Sequence, residues 1–126
     1  MTEEMMIGKK VWAVVGANTD REKYGNMIFR KLLEKGYVVY PVNPGYDTVE
    51  GHTCYKDLSS LPELPEVIDM VVSPKRGRAV IEEAAKLGIK NIWLQPGTHD
   101  EALMQLINEK GLTAVQACVL VALSYM

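Results

Sequence analysis

The chain has 126 residues, of which 48% are hydrophobic and 24% charged, and its formal net charge is −2. This length suffices for one core and is too short for two, so we expect a single domain over residues 1–126. The slightly acidic balance gives no electrostatic case for a nucleic-acid partner. No apolar run reaches the roughly 18 residues that cross a membrane, and from the first ten residues we expect no signal peptide. Cys54 and Cys118 match neither a disulfide framework nor a zinc site, so we expect a cytoplasmic protein with reduced thiols and no metal.

Short β-branched runs alternate with stretches of helical spacing along most of the chain. The apolar spacing predicts helices over 27–33, 79–87 and 103–107. A glycine follows each of them, at Gly36, Gly88 and Gly111, and glycine closes a helix by adopting the left-handed conformation without steric cost. The β-branched runs predict buried strands over residues 11–15, 37–42, 67–72, 91–94 and 112–115.

The starts of two helices carry recognisable capping residues. Ser73 offers a hydroxyl cap, followed by proline at the first helical position. Thr98 and Glu101 fit a capping box. Between residues 45 and 66 the rhythm breaks, and we predict a loop with a short strand near 53–55 and a helical turn near 57–61. The apolar segment 118–123 forms either a final short helix or a buried tail, and part of it could cover a partner subunit.

The alternation of continuous apolar strands with helices predicts an α/β fold. It is a Rossmann-like, doubly wound parallel sheet of about five strands with helices on both faces. Ligands bind such a sheet beyond the carboxyl ends of its strands. Four loops follow strand ends and combine polar residues with glycine or proline, and they should lie along one edge: Gly16-Ala17-Asn18-Thr19, Asn43-Pro44-Gly45, Ser73-Pro74 and Gln95-Pro96-Gly97.

The first of these loops predicts phosphate binding. Gly16 lets the backbone turn sharply, and the next helix directs its amide groups and positive dipole end at the same place. The alternative is that Gly16 serves only the turn and the polar residues only cap the helix. Asn18 and Thr19 supply side-chain hydrogen bonds, and Arg21 and Lys23 add charge. The candidate residues of this loop are Gly16, Ala17, Asn18, Thr19, Arg21, Lys23 and Tyr24.

A dinucleotide such as NAD fits this loop less well. Its fingerprint is G-x-G-x-x-G, whereas residues 16–21 read GANTDR. The acid that holds the ribose hydroxyls after the second strand is absent, because no Asp or Glu occurs between Gly36 and Tyr46. Both features argue against NAD.

We assign no catalytic residue from the sequence. His99 reads as a residue at a helix start, and His52 lies in the irregular loop with no assigned role. Asp69 interrupts an apolar strand, and we expect it to be structural and paired with a neighbouring group near the strand's start. Trp12 and Trp93 lie inside strands and are expected in the core.

The motifs together resemble the CoA-binding domain family. The similar segments are residues 11–62, from VWAVVGANTD through YPVNPG to LSSLP, then IDMVVSP and IWLQPG. The resemblance covers the chain from about Lys10 to Cys118. The family includes small stand-alone proteins and the amino-terminal domain of the succinyl-CoA synthetase α subunit. The combination of V-G-A-N, Y-P-V-N-P, the S-P turn and W-x-Q-x-G is specific, although no single one of these motifs is.

The resemblance implies coenzyme A as the cofactor and a use for each loop. Residues 16–19 would hold its phosphates, and Asn43, Pro44 and Gly45 would line the nucleotide side. Ser73 and Pro74 would contact adenine or pantetheine, and Gln95, Pro96 and Gly97 would close the far side. Related domains often carry a lysine soon after the Asn-Pro turn, where this chain has Tyr46. The 3′-phosphate would then be contacted by Arg21, Lys23 or Lys75 instead, or its contact with the protein would be weaker.

The resemblance transfers binding and not a ligase reaction, because the synthetase's phosphohistidine lies in a further domain. We therefore expect a non-catalytic carrier, sensor or subunit that binds coenzyme A or an acyl-CoA, as a homo-oligomer or beside a partner acyl-CoA enzyme. One alternative is an NAD- or nucleotide-binding enzyme or redox sensor. Another is a mixed disulfide between Cys118 and the thiol of coenzyme A, although a buried small hydrophobe is the commoner role of such a cysteine.

Overall fold

A computed structural model describes residues 2–125 and shows the predicted α/β architecture. The elements are α1 (Thr2–Ile7), β1 (Val11–Val15), α2 (Tyr24–Glu34), β2 (Val38–Val42), β3 (Thr48–Val49), β4 (His52–Thr53), a 3-10 turn (Leu58–Ser60), β5 (Val67–Met70), α3 (Pro74–Leu87), β6 (Asn91–Leu94), α4 (Glu101–Glu109), β7 (Thr113–Gln116) and α5 (Val119–Leu123). Five parallel strands form one sheet in the order β2-β1-β5-β6-β7, and β3 and β4 form a separate antiparallel pair.

Strand β1 is bordered on both sides by parallel neighbours, β2 and β5. It pairs with β2 from Val11 opposite Val38, and with β5 from Trp12 opposite Val67. Because side chains alternate along a strand, each strand contributes to two apolar layers. This explains why the strands of the sheet's centre read as continuous apolar runs.

Each face of the sheet buries its own core. On one face Trp12 and Trp93 lie with ring centroids 5.8 Å apart, under residues of α1, α2 and α5. Both indole rings are fully buried, as predicted, and the Nε1 of Trp93 donates to the carbonyl of Ala117 at 2.9 Å. On the other face α3 and α4 pack over Ile68, Met70 and their neighbours.

The predicted glycines stand just after the helix ends, whereas the capping residues at the helix starts differ from the prediction. Gly36, Gly88 and Gly111 have φ of +90°, +82° and +71°. Ser73 stands at the cap position of α3 with proline after it, but its side chain makes no capping hydrogen bond.

The predicted capping box at Thr98 is wrong. Asp100 caps α4 by accepting from the N–H of Leu103 at 2.8 Å, because the helix begins only at Glu101. The hydroxyl of Thr98 donates instead to the carbonyl of Gln95 at 2.6 Å. Two residues of this short segment compete for the cap, and the one adjacent to the first helical turn has the geometry for it.

The prediction that Asp69 is paired is also wrong. Its side chain is fully buried on the Trp93 face of β5, and in the described part of the chain neither carboxylate oxygen has a hydrogen-bond partner. Burial raises the pKa of Asp69 well above its ordinary value, because it disfavours the charged form of the carboxyl.

The irregular segment and the two ends complete the fold. Tyr55 forms a parallel bridge to Val42, near the predicted short strand, and the predicted turn at 57–61 is the 3-10 turn. The segment 118–123 is a short helix that buries Val119 and Leu123. The sequence did not predict helix α1, which buries Met6 against the sheet.

Within residues 2–125, every helix falls short of the length and apolar character that a bilayer-spanning helix requires.

Candidate functional site

The sheet has its topological switch point between β1 and β5. From β1 the chain passes through α2 to β2 on one side, and from β5 it passes through α3 to β6 on the other. The two helices therefore lie on opposite faces and both begin at the carboxyl edge. At a switch point the two helices diverge and leave a crevice between them, and in open α/β sheets ligands bind in this crevice. The predicted loops after β1, β2, β5 and β6 all lie along this edge, as the parallel pairing requires.

Two glycines bring the start of α2 onto the loop after β1. Gly16 has φ of +102°, a backbone conformation that is strained for any residue with a side chain. A Cβ at this position would also lie 3.0 Å from the side chain of Val72. A Cβ on Gly25 would lie 2.0 Å from the carbonyl oxygen of Gly16. The first turn of α2 can therefore rest directly on the backbone of the loop only because Gly25 lacks a side chain.

A buried polar network holds the intervening loop in shape. Asn26 is fully buried, and its Nδ2 donates to the carbonyl of Asn18 at 2.9 Å and to Glu50 at 3.1 Å. Its Oδ1 accepts from the Nε of Arg30 at 2.6 Å, and the same guanidinium donates to the carbonyl of Arg21. Sequence reasoning missed this network, whose only signal is a polar residue on the apolar side of α2.

The N-terminus of α2 lacks a side-chain cap. Lys23 occupies the cap position and makes no capping bond, and Asn18 accepts instead from the N–H of Asp20 at 2.7 Å. Thus the alternative that Asn18 or Thr19 merely caps the helix does not hold. Among the hydrogen bonds of residues 2–125, none uses the N–H groups of Ala17, Tyr24 or Gly25. Free amide groups at a helix N-terminus suit an anion.

Of the predicted side chains around this loop, Arg21 is already engaged. Its Nε lies 3.5 Å from a carboxylate oxygen of Glu50. Lys23 and Tyr24 are exposed and border the helix start, and Thr19 is also exposed. The loop thus offers backbone donors together with one nearby exposed ammonium group.

Asn43 joins the second loop to the first. Its Nδ2 donates to the carbonyl of Ala17 at 2.9 Å, and its Oδ1 accepts from the N–H of Gly45 at 2.8 Å. Pro44 and Gly45 are exposed beside it. The amide of Asn43 therefore fixes the relative position of two loops, and its orientation toward a ligand is already constrained.

The third and fourth predicted loops differ in accessibility. Ser73 and Lys75 are exposed, and Pro74 is half-buried. Gln95 is only 4% exposed, and its Oε1 accepts from the N–H of Val119 at 3.0 Å. Gln95 thus caps α5 within the protein, whereas Pro96 and Gly97 beside it are exposed.

A cleft of about 650 Å³ opens at the switch point and runs along α3. Gly16, Asn43 and Pro44 line the cleft, which brings three predicted site residues together. The remaining predicted residues lie outside its lining. The cleft also has basic residues that sequence reasoning did not assign to the site: Lys56, Arg76 and Lys86. The only sequence signal for them is the short basic run Lys75-Arg76-Gly77-Arg78, which contains Arg76.

The cysteines and histidines lie in distinct surroundings. Cys54 is buried, and burial raises the pKa of its thiol, which donates to the carbonyl of Asn43 at 3.5 Å. Cys118 is half-buried at the start of α5, after the outermost strand β7. His52 packs edge-on against Phe29, with centroids 5.4 Å apart, and His99 is half-buried in the loop before α4. A reaction of Cys118 with a cofactor thiol stays a prediction.

Comparison with known proteins places the chain in a family. The model of the CoA binding domain matches residues 10–124. The chain belongs to this family. The uncharacterized protein YneT of Bacillus subtilis is 32% identical over 124 residues, which cover 95% of this chain and 90% of that protein. A hypothetical protein from Pyrococcus horikoshii has a similar structure, with a TM-score of 0.89, 35% identity and coverage of 98% of this chain and 87% of the other.

The family relationship extends to larger enzymes. The α subunit of ADP-forming acetate–CoA ligase I from Pyrococcus furiosus is 35% identical over 97 residues. That match covers 71% of this chain and 21% of the ligase subunit. Members of the CoA binding domain family thus occur both at the size of this chain and as parts of longer proteins.

Proposed function

We propose that the chain is a single coenzyme A-binding domain whose ligand phosphates lie at the loop from Gly16 to Gly25. The observation that carries the proposal is the uncapped N-terminus of α2, pressed onto this loop by the contact of Gly25 with Gly16. It presents unused amide groups at the switch point, where an anion gains both hydrogen bonds and the helix dipole. Membership of the CoA binding domain family supports coenzyme A as the source of that anion.

The proposed role is binding rather than group transfer. The match to the acetate–CoA ligase subunit covers 21% of that subunit, and the proposal takes from it the binding of the cofactor and not the ligase reaction. A non-catalytic carrier, sensor or subunit that holds coenzyme A or an acyl-CoA for a partner enzyme is consistent with this size. The loops after β2, β5 and β6 would complete the site through Asn43-Pro44-Gly45, Ser73-Pro74-Lys75 and Gln95-Pro96-Gly97, beside Gly16-Ala17-Asn18-Thr19, Arg21, Lys23 and Tyr24.

Isothermal titration calorimetry with coenzyme A, acetyl-CoA, NAD and ATP tests the proposal. We expect binding of both CoA species and weaker or no binding of NAD. Lys23→Glu places a carboxylate at the proposed phosphate site and should weaken CoA binding roughly fivefold or more. Lys90→Glu makes the same charge change at the opposite edge of the sheet, before β6, and should leave affinity nearly unchanged.

Two results would contradict the proposal. A folded sample that gives no heat with either CoA species would exclude coenzyme A as the ligand. Tight NAD binding, abolished by Lys23→Glu, would instead favour a nucleotide-linked enzyme or sensor. Native mass spectrometry of the purified protein provides an independent measurement, because a co-purified ligand is identified by its mass.

A further inference from the structure

The cleft beside α3 combines an apolar lining with three basic side chains. Val15, Val42, Leu58 and Val80 contribute apolar groups from both the sheet and α3. Lys56, Arg76 and Lys86 are exposed residues whose side chains border the same space. Such a lining suits a ligand that has a flat apolar part and a negative charge.

The acidic residues of the cleft are occupied by the protein itself. Glu83 accepts hydrogen bonds from the N–H groups of Leu58 and Ser59, at 3.1 and 3.2 Å, and from the Ser59 hydroxyl. Asp57 accepts from the N–H and hydroxyl of Ser60, and Glu82 lies 3.7 Å from the Nζ of Lys110. None of these carboxylates forms an ion pair with a basic residue of the cleft.

The basic residues of the cleft have no such partners. Among residues 2–125, neither Lys56, Arg76 nor Lys86 lies within 4.0 Å of a carboxylate oxygen. The cleft is therefore lined by three acids that already have protein partners and by three cations without a carboxylate partner. This difference in pairing favours a ligand with a negative charge, although the whole chain is slightly acidic.

Two of the cations lie near the carboxyl edge of the sheet. Lys56 follows Tyr55, whose carbonyl accepts from the N–H of Asn43 at 2.8 Å, so it lies beside the Asn43-Pro44 turn. Arg76 is in the first turn of α3, which begins at Pro74 directly after the loop from β5. Lys86 is ten residues further along α3, about 15 Å away along the helix axis.

The cleft adjoins the proposed phosphate loop. Gly16 belongs to both, because it lines the cleft and begins the loop. A nucleotide whose 5′-phosphates lie at the loop would therefore place its ribose at the mouth of the cleft, with its base over the apolar lining. An additional phosphate on the 3′ position of that ribose would then lie in the cleft that Lys56 and Arg76 line.

We propose that Lys56 and Arg76 bind the 3′-phosphate of coenzyme A and make the protein select 3′-phosphorylated adenine nucleotides over those without this group. The inference rests on the proposed function. It replaces the expectation that Arg21, Lys23 or Lys75 serves this phosphate, because Arg21 is paired with Glu50 and the two lysines lie outside the cleft lining. Arg76 contributes a planar guanidinium that can donate two hydrogen bonds to phosphate, and Lys56 contributes a compact charge.

Calorimetric titration of coenzyme A and of dephospho-coenzyme A, which differ only in the 3′-phosphate, tests this inference. We expect the natural protein to bind coenzyme A about tenfold more tightly or better, because two charge-assisted contacts are involved. The double variant Lys56→Gln/Arg76→Gln should bind both compounds with the lower affinity of dephospho-coenzyme A. Arg78→Gln is the matched control, since Arg78 is exposed on the same helix and does not line the cleft.

The possible outcomes separate this inference from the proposed function. Equal affinity of the natural protein for the two compounds, or undiminished selectivity in the double variant, overturns the inference and leaves coenzyme A binding intact. No binding of either compound overturns the proposed function as well. Thermal unfolding of each variant, which should match that of the natural protein because the substituted side chains are exposed, shows that any loss is local.

Discussion

At the scale of single residues, the phosphate loop depends on what Gly25 lacks. The start of α2 lies on the carbonyl of Gly16, so one additional carbon at Gly25 would occupy the space of a backbone atom. Gly77 offers a contrast within α3, because a Cβ there would make ordinary contacts with Leu103 and Met70 at 3.6 Å or more. The same chemical change therefore has opposite expected signs at two helical glycines.

We predict that Gly25→Ala lowers the free energy of unfolding by about 1–3 kcal/mol, since α2 must move away from the loop. Coenzyme A affinity should fall with it, because the amide groups at Tyr24 and Gly25 move too. Gly77→Ala should instead raise stability by about 0.5–1 kcal/mol through the better helix propensity of alanine. Urea unfolding and calorimetry measure both effects. Equal stability changes in the two variants would show that the close contact at Gly25 is not limiting.

At the scale of elements, the N-terminus of α5 is capped by a side chain that is distant in the sequence. Gln95 follows β6 in the chain and accepts from the first N–H of α5, 24 residues later. Because α5 is only five residues long, it has little stability of its own. Its place over the Trp93 face therefore depends on this cap and on burial of Val119 and Leu123.

We predict that Gln95→Ala destabilises the protein by about 1–2 kcal/mol, because the N–H of Val119 is left buried without an acceptor. Amide hydrogen exchange should accelerate first in residues 119–123. Gln95→Glu, which keeps an acceptor oxygen of similar reach, should restore part of the protection. If exchange in α5 is unchanged in Gln95→Ala, the helix is held by packing alone.

At the scale of the whole molecule, Asp69 links stability to pH. Its carboxyl lies in the middle of the sheet without a hydrogen-bond partner among residues 2–125, and burial raises its pKa well above 3.8. Well below pH 3.8 the folded and unfolded chains both bind this proton. At higher pH the unfolded chain releases it while the folded chain keeps it, so the unfolded state gains stability.

We predict that this residue lowers the free energy of unfolding by about 1.4 kcal/mol per pH unit from pH 3.8 up to its raised pKa. Asp69→Asn removes the titration. Its free energy of unfolding relative to the natural protein should therefore increase as the pH rises. Urea unfolding between pH 4.5 and 7 measures this difference, with Glu22→Gln as an exposed control. Parallel pH curves for the natural protein and Asp69→Asn would contradict the prediction.

Local sequence determined the secondary elements and their order. Strands and helices follow from the period of apolar residues, and the helix ends follow from glycines, because both are properties of short segments. The parallel sheet then required the four loops to share one edge, and the family resemblance was readable from their motifs. The predicted site residues follow from that placement, and their contact with a ligand stays a prediction.

Only the tertiary structure decided which residues meet. Lys56 and Arg76 border one cleft although they lie 20 positions apart, and Gln95 reaches Val119 across the sheet edge. Asp100 rather than Thr98 caps α4, and Asp69 has no partner. Each of these depends on distances between segments that are remote in the chain, or on a choice between neighbouring polar groups. No local period or composition encodes such distances, so they arise only when the sheet and helices pack.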